Sequence, residues 1–330
     1  MKKILVTGGT GHIGNNLCRA LAEKEENKIK CLLRKNSDTS SLGGIDYEKA
    51  FGDILDRESF LEAAGDCDYI IHLAAIFSHN PNLEKKIIET AVNGTKNLIH
   101  VCRNSGVKKV IYTSSVAALG VSDTSDALVT ETDLVSGECE AYTRAKLESQ
   151  VLFEDAMRKG KLPGVIVLPS SVIGENDFRT TPSNHMILRF IKQPNFFYIE
   201  GGINVVHISD VVNGHIKALE KGRVGEKYIL GGTNVTVLDL MKKVAKLTGR
   251  KKPFLKLGQS VVYPLAVMFD ILARLTDIRA PISRMQAKTR IGKFGFYSIE
   301  KARRELDYSP LSLDESLKRT VAWFKSRNLI

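Results

Sequence analysis

Ile4-Leu5-Val6-Thr7-Gly8-Gly9-Thr10-Gly11-His12-Ile13-Gly14 is the stretch on which the reading of this chain turns. An apolar, β-branched run passes straight into glycines at 8, 9, 11 and 14, and apolar residues then recur at helical spacing at Ile13, Leu17 and Leu21. The pattern predicts strand, tight turn, helix. Gly8 and Gly11 let the backbone turn sharply and approach a bound pyrophosphate, while Gly14 lets the helix pack on its strand. The N–H groups at the helix start, by His12 and Ile13, are left free for the anion. Dinucleotide binding is the chemistry implied. A glycine-rich turn alone is weak, since glycine also serves turns for conformational reasons, but its place directly after an apolar strand gives it weight.

The chain has 330 residues, enough for one large α/β unit and a smaller second one. Hydrophobic residues make up 43% and charged ones 26%, which excludes a disordered or fibrous chain. The formal charge of +11 is spread along the sequence, with clusters at 250–252, 284–293 and 301–304. We read it as a solvated surface, the other reading being attraction of an anionic cofactor, substrate or membrane surface. No nucleic-acid motif is present. The 5 cysteines are widely spaced without a Cys-x-x-Cys pair, as expected of buried reduced thiols in a cytoplasmic protein. Met1-Lys2-Lys3 runs directly into the first strand, so no secretory signal is expected. The apolar segment 261–275 carries Asp270 and Arg274 and is too short to span a bilayer. The 7 histidines show no metal-ligand spacing.

After a first helix over 12–24, a strand over 28–33 ends at Arg34 and Lys35. A ribose-binding carboxylate is expected about 20 residues beyond the glycine turn in NAD-binding folds. Arg34 stands there instead, and no carboxylate occurs between Lys28 and Ser37. A cation at that point pairs with a 2′-phosphate, so NADP(H) is favoured over NAD(H); a plain surface arginine at a strand end is the alternative. A strand over 47–51 precedes Gly52-Asp53-Ile54-Leu55-Asp56, which sets the Asp53 carboxylate at the C-terminal sheet edge and Asp56 as a helix cap. The strand 68–73 runs into Ala74-Ala75, whose small side chains permit close ligand approach. A helix over 83–104 and a strand over 108–113, ending Thr113-Ser114-Ser115, follow. This alternation, with near-continuously apolar strands, predicts an α/β fold: a Rossmann-type doubly wound parallel sheet covered on both faces.

The helix over 141–160 carries Tyr142 and Lys146 four residues apart, hence on one face. A neighbouring ammonium is expected to lower the phenol from its ordinary pKa of ~10. Tyr142 can then give or take a proton at a carbonyl or alcohol oxygen that Ser115 also holds. In isolation such a pair is a common helix-surface pair, but here it follows the glycine turn and the Thr-Ser-Ser strand end in order.

With Gly52-Asp53, His72-Leu73-Ala74-Ala75, Val92-Asn93-Gly94-Thr95, Tyr142-x-x-x-Lys146 and Leu168-Pro169-Ser170-Ser171-Val172-x-Gly174, the chain resembles the extended short-chain dehydrogenase/reductases. The likeness reaches the Val206-His207-Ile208-Ser209-Asp210-Val211 segment and 301–310, and is strongest to dihydroflavonol reductase-like and hopanoid-associated epimerase-like members. It implies Ser115, Tyr142 and Lys146 as the catalytic set. It sets Asp53 with Ile54 at the adenine, the Leu73, Ala74 and Ala75 backbone and Thr113 along the cofactor, Lys146 on the nicotinamide ribose, and Pro169 and Val172 beside the nicotinamide. His207 and Asp210 match a segment returning from the second lobe, and we read them as a hydrogen-bonded surface corner rather than catalysts. Val116-Ala117-Ala118 occupies the place where sugar-nucleotide dehydratases carry Asp-Glu, which disfavours dehydration.

The expected division is a cofactor domain over 1–173, to which 203–232 returns, and a mainly substrate-binding lobe over 174–330 with a helix at 185–192, a strand at 227–230 and a helix at 238–247. The activity implied is reduction of an aldehyde or ketone, or oxidation of the alcohol, by a monomer or homodimer acting on a small molecule. A sugar epimerase with tightly held NAD(P) and a non-catalytic dinucleotide sensor or scaffold stay open as other readings. The apolar 261–275 helix is expected as a core or oligomer element, a membrane-surface or lipid-substrate face flanked by Arg274, Arg279 and Arg284 being the alternative.

Overall fold

The computed structural model describes residues 1–76, 83–160, 162–193, 196–275 and 284–330. In chain order the first half forms β1 (Lys2–Thr7), α1 (His12–Ala22), β2 (Asn27–Leu33), β3 (Glu48–Phe51), α2 (Arg57–Ala64), β4 (Tyr69–His72), α3 (Glu84–Asn104), β5 (Lys109–Thr113), α4 (Ala141–Arg158) and β6 (Gly164–Pro169). The next stretch gives β7 (Ser171–Ile173), α5 (Pro182–Lys192), β8 (Phe197–Ile199), β9 (Gly202–His207), α6 (Ile208–Lys221), β10 (Lys227–Leu230), β11 (Thr233–Thr236) and α7 (Val237–Thr248). The chain closes with β12 (Leu255–Leu257), α8 (Gln259–Leu275), α9 (Arg284–Arg290), α10 (Glu300–Leu306) and α11 (Leu313–Ser326).

Seven strands form one sheet in the order β10-β6-β5-β4-β1-β2-β3, with every neighbouring pair parallel. Helices α2, α3 and α4 pack in a row on one face, and α1 and α6 pack together on the other. That double cover is why Ile4 to Val6, Ile70, Ile71, Val110, Ile111 and Val165 to Leu168 are all fully buried, rather than alternating in and out. The sheet is built outward in both directions from the β1–β4 seam. At such a reversal the connections leave on opposite faces, which opens a crevice at the carboxyl ends of the two strands.

Two smaller sheets lie outside this unit. In one, β9 pairs antiparallel with β11 and parallel with β7; in the other, β12 pairs with β8. A second core, with Ile187, Val205, Leu240 and Val244 meeting Leu317 and Phe324, joins α5, α7 and α11 to the three-stranded sheet. The 5 cysteines are free thiols, Cys18, Cys31, Cys67 and Cys102 buried and Cys139 partly so.

Helix α8 is a core element on one side only. Val262 and Ala266 are buried, whereas Val261, Leu265, Met268, Ile271 and Leu272 are exposed. Of the arginines invoked as its flank, Arg284 opens α9, while Arg279 and the Arg274 side chain lie outside the described residues. Among the described residues no helix is long and apolar enough to cross a membrane, and no group of His, Cys, Asp or Glu could hold a metal ion.

Candidate active site

The glycine turn leaves β1 and enters α1 with no room for side chains. Gly8 has φ +73°, and a Cβ on it would stand 2.8 Å from the Ala74 nitrogen and 3.0 Å from the Leu73 carbonyl carbon. A Cβ on Gly14 would fall 2.1 Å from the Gly8 carbonyl oxygen. The turn therefore lies directly against the backbone leaving β4, on the sheet's reversal, and its glycines form a cradle that any side chain would fill. Gly11 is the N-cap of α1 and offers no capping side chain, so the first N–H groups of the helix are not met by one. The Ala74 N–H donates to Thr7 Oγ1 at 3.3 Å, and Thr7 in turn bonds His72 Nδ1 at 3.0 Å. His72 is buried, and burial, with a smaller contribution from the Lys146 charge, pushes its pKa down to about 3. The ring is thus a neutral anchor at the end of β4.

His12 reaches away from the cradle. Its Nε2 lies 3.0 Å from the Glu175 carbonyl, which can only accept, so this nitrogen carries the proton. Its backbone and that of Ile13 remain at the helix start. Arg34 and Lys35 are exposed at the carboxyl end of β2, where Ser37 N donates to the Arg34 carbonyl at 2.9 Å and closes a turn. The Asp53 carboxylate accepts from Leu55 N at 2.9 Å, and Asp56 caps α2 through Glu58 N, as its position before the helix predicts. Ile54 packs where α3 carries Gly94, a Cβ there falling 2.9 Å from Ile54 Cδ1.

Across the crevice, Ser115 Oγ accepts from Ala117 N at 3.2 Å and is hydrogen-bonded to the Tyr142 phenol. Lys146, one helical turn on, is buried, and its Nζ donates to the Thr113 carbonyl at 2.9 Å. The three groups read from the sequence thus meet at the carboxyl end of β5. The expected electrostatics do not follow. Burial raises the Tyr142 pKa, and the relief comes from Ser115 and the Arg290 charge. Burial also lowers Lys146 itself to about 8, the ammonium having exchanged water for contacts that include the Thr113 carbonyl.

Thr113 enters the site by its carbonyl alone. Its hydroxyl bonds His215 Nε2 at 3.0 Å, and because His215 Nδ1 donates to the Val211 carbonyl at 2.7 Å, Thr113 must be the donor. Nothing in the sequence singles out His215, a buried ring on α6 whose pKa burial lowers to about 4. Pro169 ends β6 beside Leu230, and Val172 lies in β7 against the main core.

His207 is not the surface corner expected. It is fully buried, caps α6 by accepting from Ser209 N, and sets Nε2 3.0 Å from a Glu175 carboxylate oxygen. Asp210 is buried too and accepts from Leu311 N at 3.0 Å. A cavity of about 220 Å³ flanks the glycine turn on the β2 side, between Thr10, Ser40 and Ser41 and the later residues Asp177, Arg179 and Arg327. It does not reach Ser115 or Tyr142. The two arginines are cations that sequence reading did not connect with the turn, since they come from distant segments.

A parallel sheet reversing beside a glycine turn with no room for side chains defines the dinucleotide-binding class of α/β proteins. Residues 4–231 match the NAD dependent epimerase/dehydratase family, and the chain belongs to that family. It is 31% identical over 339 residues to sterol demethylase protein B of Methylococcus capsulatus, covering 99% of each chain. It is 24% identical over 313 residues to the 4-hydroxy-2-methyl-3-oxo-4-farnesyl-3,4-dihydroquinoline-1-oxide ketoreductase of Stigmatella aurantiaca, covering 93% of this chain and 92% of that one. The crystal structure of PA4631, a nucleoside-diphosphate-sugar epimerase from Pseudomonas aeruginosa, superimposes with a TM-score of 0.80 at 25% identity, covering 100% and 99% of the two chains.

Proposed function

We propose that this protein is an NADP(H)-dependent oxidoreductase interconverting an aldehyde or ketone with its alcohol, with Ser115, Tyr142 and Lys146 as its acid-base set. The observation that carries the proposal is that Tyr142 interacts with Ser115 at the carboxyl end of β5, beside buried Lys146, at the same edge of the parallel sheet as the glycine turn after β1. The bound nicotinamide supplies or accepts the hydride. Tyr142 gives its proton to the substrate oxygen on reduction and takes it back on oxidation. A phenol whose pKa burial raises stays protonated at neutral pH, which suits the reductive direction. Ser115, pinned by the Ala117 N–H, orients the same oxygen. Lys146 is held by Thr113 and has the nicotinamide ribose as its second partner.

In this reading residues 1–173 hold the cofactor and 174–330 mainly the substrate. Gly8, Gly11 and Gly14, with the His12 and Ile13 backbone, take the pyrophosphate; Arg34 and Lys35 take the 2′-phosphate; Asp53 and Ile54 meet the adenine. Leu73, Ala74, Ala75, Pro169 and Val172 line the rest. The ketoreductase relative supports carbonyl chemistry. Likeness to the epimerase PA4631 favours a second reading, a sugar epimerase that keeps its dinucleotide between turnovers.

Tyr142→Phe is expected to lower turnover roughly 10²- to 10⁴-fold while leaving NADPH affinity nearly intact; normal turnover would remove Tyr142 from the mechanism. Arg34→Asp should weaken NADPH binding about tenfold relative to NADH, and an unchanged affinity ratio would clear Arg34 of reading the phosphate. Protein that purifies with nucleotide bound, and gives no net nicotinamide absorbance change with a sugar nucleotide, would favour the epimerase.

A further inference from the structure

We propose that the exposed side of α8, with the cations around it, docks this protein on an anionic lipid bilayer surface. The proposal goes beyond the hydride-transfer reading and does not depend on it. Val261, Leu265, Met268, Ile271 and Leu272 are 49, 41, 45, 54 and 40% exposed, at spacings that set them along one side of the helix. The opposite side packs on protein, with Val262 and Ala266 against Ala287 of α9 and Ile291 just after it. Further exposed apolar side chains lie in the segment that feeds the helix, where Phe254 is 74% and Leu255 48% exposed and Phe196 stands edge-on to Phe254. An exposed apolar helix side of this kind marks an interaction site.

Charge selects the occupant. Arg250, Lys251 and Lys252 are exposed immediately before β12, and Arg284 is exposed at the start of α9, in a chain of net charge +11. An anionic headgroup layer neutralises these cations while the stripe sinks below it, the arrangement of an in-plane interfacial helix. A second copy seated on the same face would bring like charges together across an isologous contact. With 17 residues, one side of them buried in protein, α8 lies in the surface and does not cross it. The face is also one helix away from the chemistry: Arg290, at the end of α9, lies 3.8 Å from Glu140, the N-cap of the helix bearing Tyr142.

The test is flotation of the purified full chain with vesicles of phosphatidylcholine alone and of phosphatidylcholine mixed with phosphatidylglycerol. Wild type should float with the anionic vesicles only, and less at high salt. Met268→Asp with Ile271→Asp, and separately Lys251→Glu with Lys252→Glu, should each weaken that binding by about tenfold or more. Both pairs are exposed, so NADPH affinity and thermal midpoint should stay at wild-type values. Failure of wild type to float with anionic vesicles would overturn the proposal, as would binding that survives both double variants. A wild-type dimer in analytical ultracentrifugation that the Met268 and Ile271 variant dissociates would also overturn it, by making the stripe a contact between copies.

Discussion

Lys146 shows what one buried amine costs the fold. Its folded-state pKa of about 8 lies below the ordinary lysine value of 10.5, so the folded chain holds that proton less tightly than the unfolded one. The penalty is fully present below pH 8, shrinks as pH rises from 8 towards 10.5, and is gone above it. Lys146→Met is therefore expected to be more stable than wild type at pH 7 by about 3 kcal/mol, with the gap closing by pH 10. Urea midpoints at the two pH values check this; a gap that widened with pH would mean that the amine is stabilised where it lies. The i, i+4 spacing made the Tyr142–Lys146 pair legible, because helix geometry is local. The direction of the phenol's shift was not legible, because ionisation depends on how much protein surrounds the hydroxyl.

At the scale of elements, the glycine turn is a packing constraint before it is a binding site. Gly14→Ala would drive a methyl against the Gly8 carbonyl with backbone on both sides, and is expected to cost about 3 kcal/mol or more and to abolish dinucleotide binding. Gly65→Ala is the control: φ is −59° and the nearest contact of a Cβ is 3.5 Å, so its stability should stay within about 1 kcal/mol of wild type. Thermal melting with and without NADPH separates the two. The parallel strands were legible from their continuous apolar runs, and their helices from period. Helices α7 and α11 start just after Thr236 and Ser312, whose hydroxyls accept from Asp239 N and Glu315 N, a start signal that sequence reading did not use. Strands β7, β8, β11 and β12 are three or four residues long, and segments so short are decided by their distant pairing partners.

For the whole molecule, what matters is how the later segments are tied to the glycine turn. His12 bonds the Glu175 carbonyl, His207 meets the Glu175 carboxylate, and Asp210 accepts from Leu311 N, so partly buried polar contacts tie α1, α6 and the run into α11 to the segment after β7. Asp210→Ala leaves that buried N–H without its acceptor and should destabilise the protein by about 1–3 kcal/mol in urea unfolding, with Asp210→Asn losing less. Equal losses would show that the negative charge, not the accepting oxygen, holds the segment. By itself the sequence determined the parallel α/β sheet and the glycine turn, because strand burial, helix period and glycine geometry act between near neighbours. Only the tertiary structure decided the burial of His207 and Asp210, the raised phenol and lowered amine, and the bare side of α8. Each of those depends on which remote surface closes over a residue and how much water it removes.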